Sequence, residues 1–454
     1  MPISKHSLQP IPPGKAGMIV IENGVAVEAV TKQPIAVEPS LGARAVSLPR
    51  PHNDSNPLWL GPCADGPLGG ITQSMLVRFL SCRERFRLRY VVGLEPHPKW
   101  NHRVGYGNMW HVCEEELARH GDDHGLASMW RQRLVEHTQD MCEKHPLQRD
   151  EIAKWYCVCK VQFPEYVKYW SDHPDVVNRT PLMQEQVFDV PYAMPSGRTV
   201  RLRGKFDSVD FIDAECTCGT DRTGPSAEAH DATCPAAGGA QTGIYLFETK
   251  TRGDIDQLQI ERQLKFDLQT MTYLVALGSN KDGFLDDAYR DGDLDWNKQY
   301  PICGARFNVV RRPLSGGVGN IRPHAAKATK TKMTPAETDE EFYERLRRDY
   351  IASDPGYWFF RVRAEVSDRD VQVFRDTCLD PLLEQLCWWY DAVTGINTHS
   401  EYYNYPHKKT LNYRTPFGVW SALEESGATE YDSYLETGSE AGLRRVGSLF
   451  TELQ

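Results

Sequence analysis

Near residue 184 the hydrophobic period of this chain changes, and that change limits the folds open to it. Before it, apolar residues recur at helical spacing, with Leu76, Phe79, Leu80, Phe86 and Tyr90 making one stripe. Thr72 or Ser74 can cap this first segment, which is expected to be a helix over 71 to about 92. Further helices are expected at about 105–120, 125–145 and 150–171. After the change, residues 186–190 and 200–212 alternate as two antiparallel strands about a turn at Pro195-Ser196-Gly197. Strand character returns at 244–250. It is followed by a long helix over about 255–277, a strand at 305–311, a helix at about 336–352, a strand at 357–366 and a helix at about 369–393. This order lacks the regular alternation of a doubly wound fold. It implies an α/β fold with a small mixed central sheet flanked by helices.

At 454 residues the chain is about three times a typical ~150-residue domain. It can bury a sizeable core without disulfide or metal staples. No apolar run approaches the ~18–20 residues of a membrane helix, and the opening residues lack an apolar leader, so a cytoplasmic protein with no membrane association is expected. Twelve cysteines then read as reduced thiols or metal ligands. The net charge of −10 argues against a general polyanion-binding coat but leaves room for a local basic surface. Residues 1–68 read as a proline-rich arm with a hairpin near 17–27. The main domain is expected over 69–400, with a cysteine-containing insertion at 213–242, and 401–454 read as a tail.

The chemistry concentrates in Arg203-Gly204-Lys205-Phe206-Asp207-Ser208-Val209-Asp210 and Phe247-Glu248-Thr249-Lys250. Side chains alternate along a strand, so Glu248 and Lys250 share one face, and Asp207 on the neighbouring strand can stand beside Glu248. Two converging carboxylates repel unless a cation lies between them, and hard oxygen ligands suit Mg²⁺ or Mn²⁺. The Thr249 carbonyl is a natural further ligand. Lys250 can hold an attacking water or stabilise charge on a phosphoryl group. The plainer alternative is an edge strand with solvated charges.

Gly204-x-x-Asp207, Glu248-x-Lys250 and Gln269-x-x-x-Tyr273, with Gly107-x-x-x-His111 upstream, resemble the RecB-like branch of the PD-(D/E)xK nuclease superfamily. Glu248 to Asp256 and Phe307-Asn308-Val309-Val310-Arg311-Arg312-Pro313 are similar to phage-encoded exonucleases related to the CRISPR-adaptation nucleases. The resemblance spans about 70–400 and implies a restriction-endonuclease-like core. It implies that His111, Asp207 and Glu248 bind the metal with help from the Thr249 carbonyl, and that Lys250 is the catalytic lysine. Gln269 and Tyr273, at i and i+4 on one helix face, would contact DNA or brace the site. Each of these residues also has a structural reading: His111 as a packed core histidine, Gln269 and Tyr273 as the edge of an amphipathic helix.

Between Asp295 and Glu337 no acidic residue occurs, while Lys298, Arg306, Arg311, Arg312, Arg322, Lys327, Lys330 and Lys332 do. With Gly316, Gly317 and Gly319 this reads as a loop able to follow a phosphate backbone, Arg311 and Arg312 among its substrate-binding residues. The alternative is an exposed solubilising loop. A second basic candidate is the helix carrying Arg83, Arg85, Arg87 and Arg89. In the insertion, Cys216, Cys218, His230 and Cys234 could close a structural Zn²⁺ site, or the segment could be a loose hairpin. Relatives often hold an Fe–S cluster through an early cysteine and three late ones. Cys82 matches the first, but 402–420 contains no cysteine, so no cluster is expected.

The expected function is therefore a Mg²⁺-dependent deoxyribonuclease, an exonuclease by resemblance, serving phage DNA processing or recombination. Its expected partners are DNA and phage or host recombination proteins. The rival reading is a catalytically weak DNA-binding or scaffold protein that keeps the nuclease fold.

Overall fold

The computed structural model describes residues 19–22, 25–28, 58–81, 83–97, 99–120, 127–171, 179–214, 241–253, 255–264, 266–295, 297–314, 321–328, 333–394, 430, 433–434, 437–450 and 453. Cys82, Cys216, Cys218, His230, Cys234, the glycines at 316–319, Lys330 and Lys332 lie outside the described residues. The chain divides into two units, 1–50 and 51–454. In the first, Ile19–Glu22 and Val25–Glu28 pair antiparallel as the expected hairpin.

The second unit is built on a mixed six-stranded sheet. Its strands are β1 (Ile71–Thr72), β2 (Arg179–Ala193), β3 (Thr199–Ile212), β4 (Gly243–Arg252), β5 (Ile302–Arg311) and β6 (Phe359–Glu365). They run in the order β6-β5-β4-β3-β1, with β2 paired to the other edge of β3. β2, β3 and β4 are successively antiparallel, β4 and β5 are parallel, and β6 returns antiparallel to β5. The hairpin of β2 and β3 is longer than the strand expected over 186–190, because backbone pairing continues back through Gln184 and Met183 to Arg179, with a register shift between Pro181 and Met183.

Helices cover both faces, so the sheet has two cores. On one face α1 (Gln73–Ser81), α6 (Leu268–Ser279) and α8 (Asp380–Val393) pack on Leu202, Phe206, Leu246 and Phe307. On the other, α2 (His102–His120), α3 (Ala127–Lys144), α4 (Arg149–Trp170) and α7 (Asp339–Arg345) enclose Val310 and Phe359 in an aromatic cluster. The long helix expected over 255–277 is two helices, α5 (Gln257–Leu264) and α6. Asp267 adopts an extended conformation and accepts the Thr270 backbone N–H, an N-cap that starts a new helix.

The first expected helix also ends early. α1 stops at Ser81 and is followed by a short turn at Arg83–Phe86 and a π-helical turn at Arg87–Val91. This arginine-rich stretch is built into the body. Arg87 is buried, Arg89 is ion-paired with Glu95, and Arg83 donates to Gln385 at 2.8 Å while covering the Phe79 ring. Near the chain end, Leu443–Arg445 pairs antiparallel with Leu94–Pro96, and Phe450 is buried beneath the Arg203 guanidinium, 4.3 Å from its centroid. Among the described residues, no helix is long and apolar enough to cross a membrane.

Candidate active site

Where β3 and β4 part company, the site begins. Their last paired residues are Ser208 and Phe247, so Asp207 and Glu248 are the first positions beyond the ladder. Further along, β1 takes up the same edge of β3 at Leu202 and Arg203. The Tyr273 side chain bridges the gap, hydrogen-bonding the Lys205 backbone and Gln269. Gly204 lies under this bridge. A Cβ there would sit 2.5 Å from Phe188 Cζ and 3.2 Å from Tyr273 Cε1, so the motif needs glycine to let both rings close on the strand.

Alternation along β4 then sorts the side chains. Ile244 and Leu246 enter the α6-side core, and Glu248 and Lys250 continue that face. Glu248 is only 1% exposed. Its Oε2 accepts from Lys250 Nζ and from Gln269 Nε2, both at 3.0 Å, while Lys250 Nζ also donates to Gln269 Oε1 at 2.9 Å. The E-x-K pair and the first residue of the Q-x-x-x-Y pair thus form a closed triangle. Burial, then the neighbouring Asp207 charge, push Glu248 up to about 7, against the pull of Lys250 and His111. Burial works against the Lys250 ammonium, but Glu248 and Asp207 outweigh it and hold its pKa above the ordinary value.

Asp207 is placed differently. Phe206 and Val209 both enter the α6-side core, whereas Asp207 and Ser208 both line the cavity on the opposite side, so the strand's alternation breaks between them. Across the hairpin, Glu185 has φ +49°, the left-handed region that non-glycine residues seldom occupy. The two irregularities turn both carboxylates toward α2. His111 on that helix places Nδ1 3.7 Å from Asp207 Oδ2, and one ligand atom each from His111, Glu185 and Asp207 lies within 4.8 Å of the others. Asp207 Oδ2 also accepts the Thr249 backbone N–H at 3.3 Å. Burial alone would lower the His111 pKa, yet Asp207, Glu114, Glu185 and Glu248 raise it above its usual value. Burial likewise raises Glu185, despite its ion pair with Lys205.

A polar network behind the sheet holds His111 in position. One turn further along α2, Glu114 Oε1 accepts from Tyr166 Oη at 2.9 Å and from Asn308 Nδ2 at 2.8 Å. The same amide donates to Tyr166 Oη at 2.8 Å and Thr249 Oγ1 at 3.3 Å, tying α2, α4, β4 and β5 together.

The structure therefore brings together His111, Asp207, Glu248, Thr249, Lys250, Gln269 and Tyr273. Sequence reasoning missed Glu185, because nothing local marks the left-handed residue that faces Asp207 across a hairpin; its carboxylate just ahead of the strand was the available signal. Arg311 and Arg312 stand apart from this group. Arg311 packs 4.0 Å over the Tyr357 ring and donates to the Tyr357 carbonyl, and Arg312 is buried, donating to the Arg103 carbonyl. Burial pulls Arg312 down to about 10. Arg306 is buried as well, so the basic run from 298 to 332 is not one continuous exposed surface.

An imidazole and two carboxylates, with a third carboxylate held near neutrality beside them, fit a divalent cation. Carboxylate oxygens and an imidazole nitrogen can together hold a divalent metal, and the Asp207 repulsion that adds to burial in raising Glu248 is what a bound cation would relieve. No curated protein matches the chain. The family model of the PD-(D/E)XK nuclease superfamily matches residues 71–247, taking in His111, Glu185 and Asp207 and stopping one residue short of Glu248. The mixed sheet, its flanking helices and the acidic, lysine-bearing site at its splayed strands agree with that match: residues 71–247, with the strand they run into, are similar to a PD-(D/E)XK nuclease domain, which supports a metal-dependent nuclease in general.

Proposed function

We propose that the protein is a Mg²⁺-dependent deoxyribonuclease that hydrolyses phosphodiester bonds from DNA ends, in DNA processing or recombination. The observation that carries this reading is the Glu248–Lys250–Gln269 triangle set against the His111–Glu185–Asp207 cluster. His111, Asp207, Glu185, Glu248 and the Thr249 carbonyl would hold the cation. When bound, it would polarise the scissile phosphate and lower the pKa of the attacking water.

The chain's own groups do the rest. Lys250 carries its proton at neutral pH because two carboxylates face it, so its Nζ is a donor to a non-bridging phosphate oxygen or to the nucleophilic water. Gln269 keeps the ammonium and Glu248 in one geometry while its own amide is fully engaged. Tyr273 remains protonated, its pKa raised by burial, and braces the open edge of β3. Water attack in line with the departing 3′-oxygen follows the superfamily chemistry.

The test is digestion of end-labelled linear and covalently closed circular DNA in Mg²⁺, with Glu248→Ala alongside. Loss of linear DNA alone, abolished by the substitution, is the expected result. Cutting of circles would make the enzyme an endonuclease. Equal inertness of both proteins with DNA binding retained would replace catalysis with the scaffold reading.

A further inference from the structure

The His111–Glu185–Asp207 cluster forms one wall of a cavity of about 390 Å³ between α2, α4 and the sheet. That volume is near the lower end of the ~300–1,000 Å³ typical of small-ligand pockets. It suits one nucleotide and is far too small for a duplex.

The chemistry of the remaining walls is selective. Trp170, Phe247, Arg179 and Arg361 form a layered aromatic and guanidinium surface. The Arg361 guanidinium carbon lies 4.1 Å from the Trp170 centroid and 5.2 Å from that of Phe247, and that of Arg179 lies 4.2 Å from Phe247. Flat aromatic and guanidinium faces are what an unstacked nucleobase packs on. A phosphate is a poorer occupant. The Arg179 charge is matched by fully buried Asp210 at 2.6 Å, and Glu114, Glu115, Glu185 and Asp207 bring four carboxylates to the walls. A neutral heterocycle escapes that repulsion, and the Gln184 amide, which spends one N–H on Ser208, keeps its carbonyl oxygen and second N–H for the base edge.

We propose that this cavity binds one unpaired nucleobase of the substrate strand, stacked on the Arg361–Trp170–Phe247 layer, while its phosphate lies outside the cavity, beside the cation that the His111–Glu185–Asp207 cluster would hold. The proposal rests on the nuclease reading above. It makes the substrate at the point of cleavage a single strand or a frayed end, since a base must leave its pair and its stack to enter.

The test uses the full-length protein and single-stranded DNA carrying one tetrahydrofuran abasic residue, walked position by position, in single-turnover cleavage with Mg²⁺. One position beside the scissile phosphate should slow cleavage about tenfold or more when its base is removed. Trp170→Ala and Arg361→Gln should shrink that difference toward unity. A second arm needs no cleavage and no folded variant: 2-aminopurine at the same position, with EDTA and wild-type protein, should change its fluorescence on binding. Normal cleavage with every abasic position tolerated and no 2-aminopurine response overturns the pocket and leaves the nuclease standing. A 2-aminopurine response without cleavage of any strand supports the pocket and removes the nuclease reading. Neither signal overturns both.

Discussion

Replacing Glu248 by glutamine should abolish cleavage yet stabilise the metal-free protein at alkaline pH. Glu248 is buried beside Asp207, and its carboxyl is raised from 4.5 to about 7. A group whose native pKa lies above its unfolded value is protonated in the native state when the unfolded chain has already released the proton. Stability therefore falls as pH rises from about 4.5 to 7 and stays lower above it. At 1.36 kcal/mol per pKa unit, the ionised carboxylate costs the native state about 3 kcal/mol at pH 8. The attraction of Lys250 is already contained in that value. Glutamine resembles the protonated acid and escapes the cost. With ~2.1 cal/mol/K of unfolding entropy per residue, a cooperative unit of about 400 residues moves its Tm by roughly 1 °C per kcal/mol, so a gain of about 3–4 °C is expected. Scanning calorimetry in EDTA at pH 4.5 and pH 8 reads it directly. The variant should match wild type at the lower pH and exceed it at the higher. Mg²⁺ should stabilise wild type at pH 8 more than the variant, because the cation binds the deprotonated carboxylate. A variant less stable than wild type at pH 8, or displaced equally at both pH values, would refute the reasoning.

Three other substitutions separate chemistry from architecture. Lys250→Met should lower single-turnover cleavage by about 10²–10⁴-fold with DNA binding kept; a loss below tenfold would remove Lys250 from the chemistry. Gly204→Ala forces a Cβ to 2.5 Å from Phe188 Cζ and should cost about 1–3 kcal/mol in urea unfolding, whereas an unchanged midpoint would show that the rings yield freely. Asn308→Ala removes the donor shared by Glu114, Tyr166 and Thr249 and should weaken Mg²⁺ or Mn²⁺ binding about 10–100-fold by calorimetric titration. Loss of stability with metal affinity intact would make Asn308 a purely structural residue.

Much of the site was legible from short-range spacing. Period-two alternation puts Glu248 and Lys250 on one face, and the i, i+4 rule puts Gln269 and Tyr273 on another that meets it. Those rules need only the local backbone, so they survived the division of the long helix into α5 and α6: Asp267 capped the second before Gln269. The basic residues were harder to read. Charge runs look like exposed surfaces, yet Arg87, Arg306 and Arg312 are buried, because burial depends on which elements pack over a residue and not on its neighbours in the chain.

What the sequence determined by itself is the list of chemical groups and their local faces: carboxylate and lysine two apart on a strand, a histidine on an upstream helix, a glycine three residues before an aspartate. What only the tertiary structure decided is how those groups converge. Glu185 joins His111 and Asp207 through a left-handed residue and a break in strand alternation, both set by pairing across the hairpin. The cavity beside them exists because α2 and α4 lie against the sheet, held by Asn308, Glu114 and Tyr166. The physical reason is one of range. Backbone periodicity acts over a few residues, whereas a candidate metal site and its pocket are made by side chains from strands and helices as far apart in the chain as His111 and Arg361 that share one small volume.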